Sequence, residues 1–451
     1  MTALNVLATR YASPQMREIW SAESKVRAER DLWIAVMHAQ QIEPSVIADY
    51  ERVTRHDVKA RIEEFNALAG HQRIHAGMTS RDLTENVEQM QVRRAVELVR
   101  DRTVAALALV AERAAEFDSL PIAGRSHNVP AQVTTLGKRF ASCGEELLYA
   151  LERIEQTLTS YPMRGIKGPV GTSQDMLDLL GDVHEVDLLE QQIARHLGFD
   201  RVLDSVGQVY PRSLDFDVIS ALVLLAAAPS SFALSVRLMA GAELVSEGFA
   251  EGQTGSSAMP HKMNTRSCER INGLAAILKG HLTMASSLAG DQWNEGDVSC
   301  SVVRRVALPD AFYAIDGLLE TFMTVLMEFT VFPHAIESEL QRLLPFLGST
   351  RILMAAIKAG AGREQAHEVI KEHSVAVAKA MRTSGSKNDL VSRLGADPRL
   401  PLNQDEIDAL LNQPLNFTGN AARQTQAVVE RIHGVLARHH EAASYRPTSI
   451  L

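Results

Sequence analysis

The segment Gly255-Ser-Ser-Ala-Met-Pro-His-Lys-Met-Asn264 gathers two hydroxyls, a cation and an amide within ten residues. A loop of this make-up can close over an anionic substrate, hold developing negative charge and exclude water. Gly252 and Gly255 give it the freedom to do so, and the alternative is a polar surface loop. His127 lies between Gly124 and Gln132, ahead of a long helical pattern. Histidine moves protons best near neutral pH, although a loop histidine can equally be structural. Thr54-Arg55-His56-Asp57 and His75-Ala-Gly-Met-Thr79-Ser80 each combine anion-binding groups. Helix capping by Ser80 and a surface ion pair between Arg55 and Asp57 are their plain alternatives. Ser301 is followed by Arg304 and Arg305, whose forked donors suit carboxylate or phosphate, or form a solvated basic face. Taken singly, none of these groups decides a function.

The elements that must position them are helical. Leu, Val, Met and Ala recur at three- and four-residue spacing over 82–117, 134–158, 215–245, 270–289 and 309–329. Strand signals are nearly absent, with no Asn-Gly turn between alternating β-branched runs. Long helices rich in Ala and Leu predict an all-α bundle that extends into oligomer packing. Gly and Pro cluster at 124–130, 165–171 and 252–260, which are read as loops between helices and hence as places for chemistry. Boundaries near 77–80 and 333–345 give an N-terminal helical domain (1–80), a central bundle carrying the glycine-rich loop (81–333) and a C-terminal domain of short helices (334–451).

Composition bounds the possibilities. The 451 residues include 46 Lys plus Arg and 55 Asp plus Glu, a formal charge of −9 that argues against a broad nucleic-acid surface. Cys143, Cys268 and Cys300 are too few and scattered for a disulfide framework, which fits a reducing compartment. The apolar run 219–236 contains Pro229 and four serines, so a buried core helix is expected rather than a membrane span. No basic-then-apolar leader opens the chain, and a cytoplasmic location is expected. Neither a GxGxxG nor a GxxxxGK[ST] phosphate loop is present, nor an HExxH metal motif.

Six segments, in order, resemble the fumarase/aspartase superfamily and, within it, the adenylosuccinate lyase family. GSSAMPHKMN (255–264) is similar to the superfamily loop GSSxMPxKxN, and SHNVPAQVTTLGKR (126–139) to the family's THxQPAQxTTxGKR. TRYAS, RHDV, HAGMTSRDLTEN and SVGQVYPR also match, and the likeness runs from Arg10 to about Leu394. The resemblance implies an all-helical, three-domain fold. It implies a homotetramer with a 20-helix core and active sites each shared by three subunits. It implies β-elimination of fumarate from adenylosuccinate, giving AMP, and from SAICAR, giving AICAR, with no metal or organic cofactor. On the same ground Ser256 would be the base and His127 the acid. Lys262, Asn264, Thr79, Ser80 and Gln208 would meet the succinyl carboxylates. Arg10, Tyr11, Arg55, His56 and Asp57 would surround the nucleotide. Arg270, Ser301 and Arg305 would serve its phosphate, with help from His75.

Four positions depart from that pattern. Glu295-Gly296 stands where the family has Glu-Arg, so either Arg304 or an arginine of another subunit replaces the missing cation or the phosphate contact is weaker. Ser126 replaces a threonine, Val129 a glutamine, and Met263-Asn264-Thr265 an Arg-Asn-Pro. These changes bear on substrate affinity more than on reaction type. The competing readings are a superfamily lyase acting on another succinyl adduct or a cyclic dicarboxylate, favoured by Gly296, and a scaffold without catalysis.

Overall fold

The computed structural model describes residues 5–39, 62–63, 65–67, 72, 74–248, 259 and 262–447. A π-helical turn, Leu7–Tyr11, leads into α1 (Pro14–Ile19) and α2 (Ala22–Ala39). The central bundle follows as α3 (Ser80–Glu116), α4 (Leu136–Ser160), α7 (Ser213–Gly241), α8 (Arg266–Leu288) and α9 (Cys300–Glu328). Two shorter helices, α5 (Gln174–Leu180) and α6 (Val183–His196), precede α7. Beyond the bundle come α10 (Pro333–Leu347), α11 (Ser349–Lys358), α12 (Arg363–Ser384), α13 (Leu390–Ala396), α14 (Gln404–Leu411), α15 (Ala421–Arg438) and α16 (His440–Ala443). The all-helical expectation is met.

The 37 residues of α3 form its axis, about 55 Å long at 1.5 Å per residue. Val104 to Ala111 is buried without interruption, so this half is enclosed by the bundle on every side. The first half instead buries Asp82, Glu85, Asn86 and Gln89, which need partners to be tolerated there. α4 returns antiparallel, and its buried Phe140, Leu147, Leu151 and Ile154 recur at helical spacing. Thr135 caps α4, its hydroxyl accepting the Lys138 N–H at 3.1 Å. α9 packs on α8, α8 on α7, α7 on α4 and α9 on α3, which closes the bundle. α7 is the apolar run. It is long and apolar enough by composition to cross a membrane, yet about half of that stretch (56%) is buried inside the single chain.

Three expectations need correction. The 124–130 segment is a β-hairpin, with β1 (Pro121–Ser126) antiparallel to β2 (Val129–Thr135) and a bulge at Gly124/Arg125. Its turn residues, His127 and Asn128, both take left-handed φ, 52° and 60°, the geometry of a tight two-residue hairpin turn. The usual Asn-Gly signature is absent because His-Asn does the same work. Second, α9 begins at Cys300, nine residues before the expected start at 309, so Pro309 sits inside the helix. Third, the C-terminal region is not only short helices, since α12 has 22 residues and α15 has 18. α15 lies against α3 and α4, and Tyr445 beyond it donates to Glu320 of α9 at 2.8 Å under the Arg102 guanidinium.

Candidate active site

The start of α3 is densely hydrogen-bonded. Thr79 stands at its N-cap, donating its N–H to Asp82 Oδ2 at 2.7 Å, and Ser80 is the first helical residue. Asp82 Oδ1 accepts from Arg164 Nη1 at 2.5 Å and from the Lys167 and Gly168 amides at 2.9 and 3.0 Å. Arg164 also donates to the Gly207 carbonyl at 3.0 Å, which ties the 161–171 loop and the 205–212 segment to the same helix end. The next residue, Gln208, donates its N–H to the Glu295 carbonyl at 2.5 Å. That approach requires Gly207, because a Cβ there would lie 2.0 Å from the Glu295 oxygen. Ser301, on the first turn of α9, accepts from Arg81 Nη2 at 3.2 Å. The structure therefore brings Thr79, Ser80, Gln208 and Ser301 together, and Arg305 stands exposed one turn beyond Ser301.

A buried ionic layer lies under this cluster. Arg212 pairs with Glu85 at 2.8 Å, and Tyr210 donates to Asp215 at 2.7 Å. Arg304 donates from Nε to Asp215 at 2.6 Å, from Nη1 to Glu88 at 2.5 Å and from Nη2 to the Tyr210 hydroxyl. Burial raises the Tyr210 phenol well above its ordinary value, so it stays protonated and donates. Burial also opposes charge on Glu88, but Arg304, Lys25 and Arg212 together outweigh it and hold that carboxyl below its usual range. The expectation that Arg304 replaces the family arginine is therefore corrected. It is buried and all three of its nitrogens are occupied by the scaffold. Gly296 itself has φ of 144°, a backbone that an arginine side chain would strain.

Arg10, Tyr11 and Arg270 form a second group. The guanidinium carbons of Arg10 and Arg270 lie 5.9 and 5.7 Å from the Tyr11 ring centre. Tyr11 packs against Gly317 of α9, so closely that a Cβ there would meet Tyr11 at 2.7 Å. Sixteen residues of α9 separate Gly317 from Ser301, about 24 Å along the axis.

His75 sits beside Trp33, whose Nε1 donates to its Nδ1 at 3.3 Å, so its proton is on Nε2. Burial lowers its pKa against the pull of Asp82, and the ring is neutral at pH 7.

At the far end of the bundle, β3 (Val245–Ser246) pairs with β4 (Thr330–Val331), just past the end of α9. Glu247 follows β3, buried, and its two oxygens accept the Ser267 and Cys268 amides at 2.8 Å each. It thereby caps α8, whose own Thr265 makes no side-chain cap. Lys262, exposed, and Asn264, half-buried, immediately precede that capped turn. His127 stands at the hairpin tip at the same end, exposed and without a hydrogen bond or ion pair among the described residues. Ser256, Arg55, His56 and Asp57 lie outside the described residues.

The candidate groups thus occupy three levels of one bundle, and the hairpin is separated from Thr79 and Ser80 by the whole of α3. Comparison with known proteins gives this arrangement its context. The sequence profile described as "Lyase" matches residues 12–280, and that described as "Adenylosuccinate lyase C-terminus" matches 345–428. Adenylosuccinate lyase of Saccharomyces cerevisiae is 33% identical over 94% of this chain and 93% of its own length. That of Schizosaccharomyces pombe is 32% identical over the same shares. The chain belongs to the adenylosuccinate lyase family. It is a lyase of the fumarase/aspartase superfamily, and two solved structures have its fold. A fumarate lyase from Mesorhizobium sp. BNC1 aligns with a TM-score of 0.79 at 20% identity over 93% of this chain and 98% of its own. The 3-carboxy-cis,cis-muconate lactonizing enzyme of Pseudomonas putida aligns at 0.81 and 19%, over 95% and 99%.

Within this lyase, sequence reasoning missed two residues that the structure places at the candidate site, Glu247 and Arg81. The role of Glu247 is tertiary and left no local signal. Arg81 did leave one, since a cation in the first turn of a helix opposes the helix dipole.

Proposed function

We propose that this lyase eliminates fumarate from adenylosuccinate, giving AMP, and from SAICAR, giving AICAR, in purine nucleotide synthesis. The observation that carries the proposal is the likeness to adenylosuccinate lyases over nearly the whole chain. Ser256 removes a proton from the succinyl carbon next to a carboxylate. The electron pair moves into that carboxylate as an aci-carboxylate, held by Lys262, Asn264, Thr79, Ser80 and Gln208. The pair then forms the fumarate double bond as the C–N bond breaks, and the departing nitrogen takes its proton from His127. Arg10, Tyr11, Arg55, His56 and Asp57 surround the nucleotide, and Arg270, Ser301 and Arg305 meet its phosphate.

The same reading makes the enzyme a cytoplasmic homotetramer whose sites each draw on three subunits. Two observations support it. The hydroxyls of Thr79, Ser80 and Ser301 lie at one end of a bundle about 55 Å long and His127 and Asn264 at the other, too far apart to meet one small substrate within a chain. Bundle helices also leave apolar side chains uncovered, including Leu234 and Leu238 on α7 and Val302 and Val306 on α9, with Leu238 at 56% and Val302 at 71% exposure. The division 1–80, 81–333 and 334–451 belongs to the same proposal, supported by the start of α3 at Ser80 and of α10 at Pro333.

Steady-state assay of adenylosuccinate tests the activity, with fumarate and AMP expected in equal amounts. Ser256→Ala is expected to lower kcat by at least about 100-fold, a typical general-base contribution. Near-normal turnover by that variant would remove Ser256 from the base role, and absence of turnover by the unaltered tetramer would direct the search to another succinyl adduct.

A further inference from the structure

We propose that Arg81 binds the substrate's phosphate, in place of the cation that Gly296 cannot supply. The proposal rests on the lyase reading above and deepens it. Arg81 is on the first turn of α3, next to Ser80, and its side chain keeps 18% of its surface exposed. Its Nη2 donates to Ser301 Oγ at 3.2 Å, so it bridges the N-terminal ends of α3 and α9. Both helix starts present positive dipole ends, and a guanidinium placed there adds to the field rather than cancelling it. Such a placement costs stability in an ordinary helix. It is favourable where an anion is to be bound.

The ionic layer beneath leaves Arg81 under-neutralised. Its Nη1 reaches Glu85 Oε1 at 3.1 Å, but Arg212 holds the same carboxylate at 2.8 Å and Arg304 approaches it at 3.8 Å. Three guanidinium groups thus share Glu85, while Arg304 spends its own donors on Asp215 and Glu88. On the solvent side, Ser301 offers a hydroxyl, and Arg305 stands exposed one helical turn later on the same helix. Arg81 and Ser301, with Arg305 one turn further along α9, offer one hydroxyl and two forked cations, the donor set that suits a phosphate monoester.

Calorimetric titration of the full-length tetramer with AMP and with adenosine tests Arg81 independently of turnover. Losing a charge-assisted phosphate contact is expected to weaken AMP binding to Arg81→Gln by about 10- to 100-fold. Adenosine binding is expected to be unchanged, and Arg81→Lys, which keeps the charge but loses the fork, to fall between. Kinetics extend the test: KM for adenylosuccinate should rise while the dephosphorylated substrate is cleaved by Arg81→Gln as by the unaltered enzyme. Equal loss with both ligands would assign Arg81 to the scaffold through Glu85, and equal AMP affinity in all three proteins would remove it from the site. Either result overturns the proposal. Failure of the unaltered enzyme to cleave adenylosuccinate would instead overturn the lyase reading.

Discussion

At the scale of single residues, the charged groups divide into those the fold consumes and those it leaves available. Arg164, Arg212 and Arg304 are buried against Asp82, Glu85, Glu88 and Asp215, while Arg81, Arg305 and Lys262 keep exposed surface. Asp316 belongs to a third kind. Burial pushes its carboxyl up to about 6, its Oδ2 accepts the Ser13 N–H at 2.5 Å, and its Oδ1 has no hydrogen-bond partner among the described residues. A carboxyl whose pKa is raised on folding favours the folded state when protonated. That contribution is full below about pH 4 and is lost as pH rises through about 6. Asp316→Asn keeps an acceptor for Ser13 without the charge. It is expected to raise the unfolding temperature at pH 7.5 and to flatten the stability profile between pH 4 and 6. An unchanged profile from thermal unfolding across that range would show that Asp316 carries no such penalty.

At the scale of elements, the long helices were legible because buried side chains recur at their period over more than twenty residues. Their ends were legible only where a local signal marked them. Pro309 reads as a helix start, yet α9 begins nine residues before it, where Arg304 is fixed by buried bonds to Asp215 of α7 and Glu88 of α3. The hairpin escaped notice because its turn uses His127 and Asn128, and that choice puts the proposed acid at an exposed, strongly bent position. Ser301, Gln208, Thr79 and Ser80 were all identifiable from motifs. Their meeting was not, because it depends on Arg164 and Gly207 drawing distant segments to one helix end. Glu247 is the same kind of feature. Its carboxylate sets the first turn of α8 and so the placement of Lys262 and Asn264 just before it. Glu247→Ala is expected to cost about 1–2 kcal/mol of stability through the lost cap. It should also lower kcat/KM for adenylosuccinate by about 10-fold or more, the usual penalty for a misplaced site group. Glu247→Gln, which retains one acceptor, should recover part of both. A stability loss with unaltered kcat/KM would confine Glu247 to a structural role.

At the scale of the molecule, one chain presents the parts of the proposed site at separate levels of the helical bundle. Ser80 and Ser301 mark one end, Tyr11 and Arg270 the middle, and His127 and Lys262 the other end. A long continuous core explains why they stay apart, since sliding these helices past one another would break the buried pairs under α3. The account's central claim is that association of chains brings the levels together. Mixing inactive His127→Ala and Ser256→Ala proteins, with subunit exchange verified by mass measurement, tests it most directly. The account predicts that adenylosuccinate cleavage reappears in the mixture, because hybrid assemblies contain sites with an intact acid from one chain and an intact base from another. No recovery after complete exchange would mean that each site takes both groups from a single chain, and would contradict the shared-site architecture.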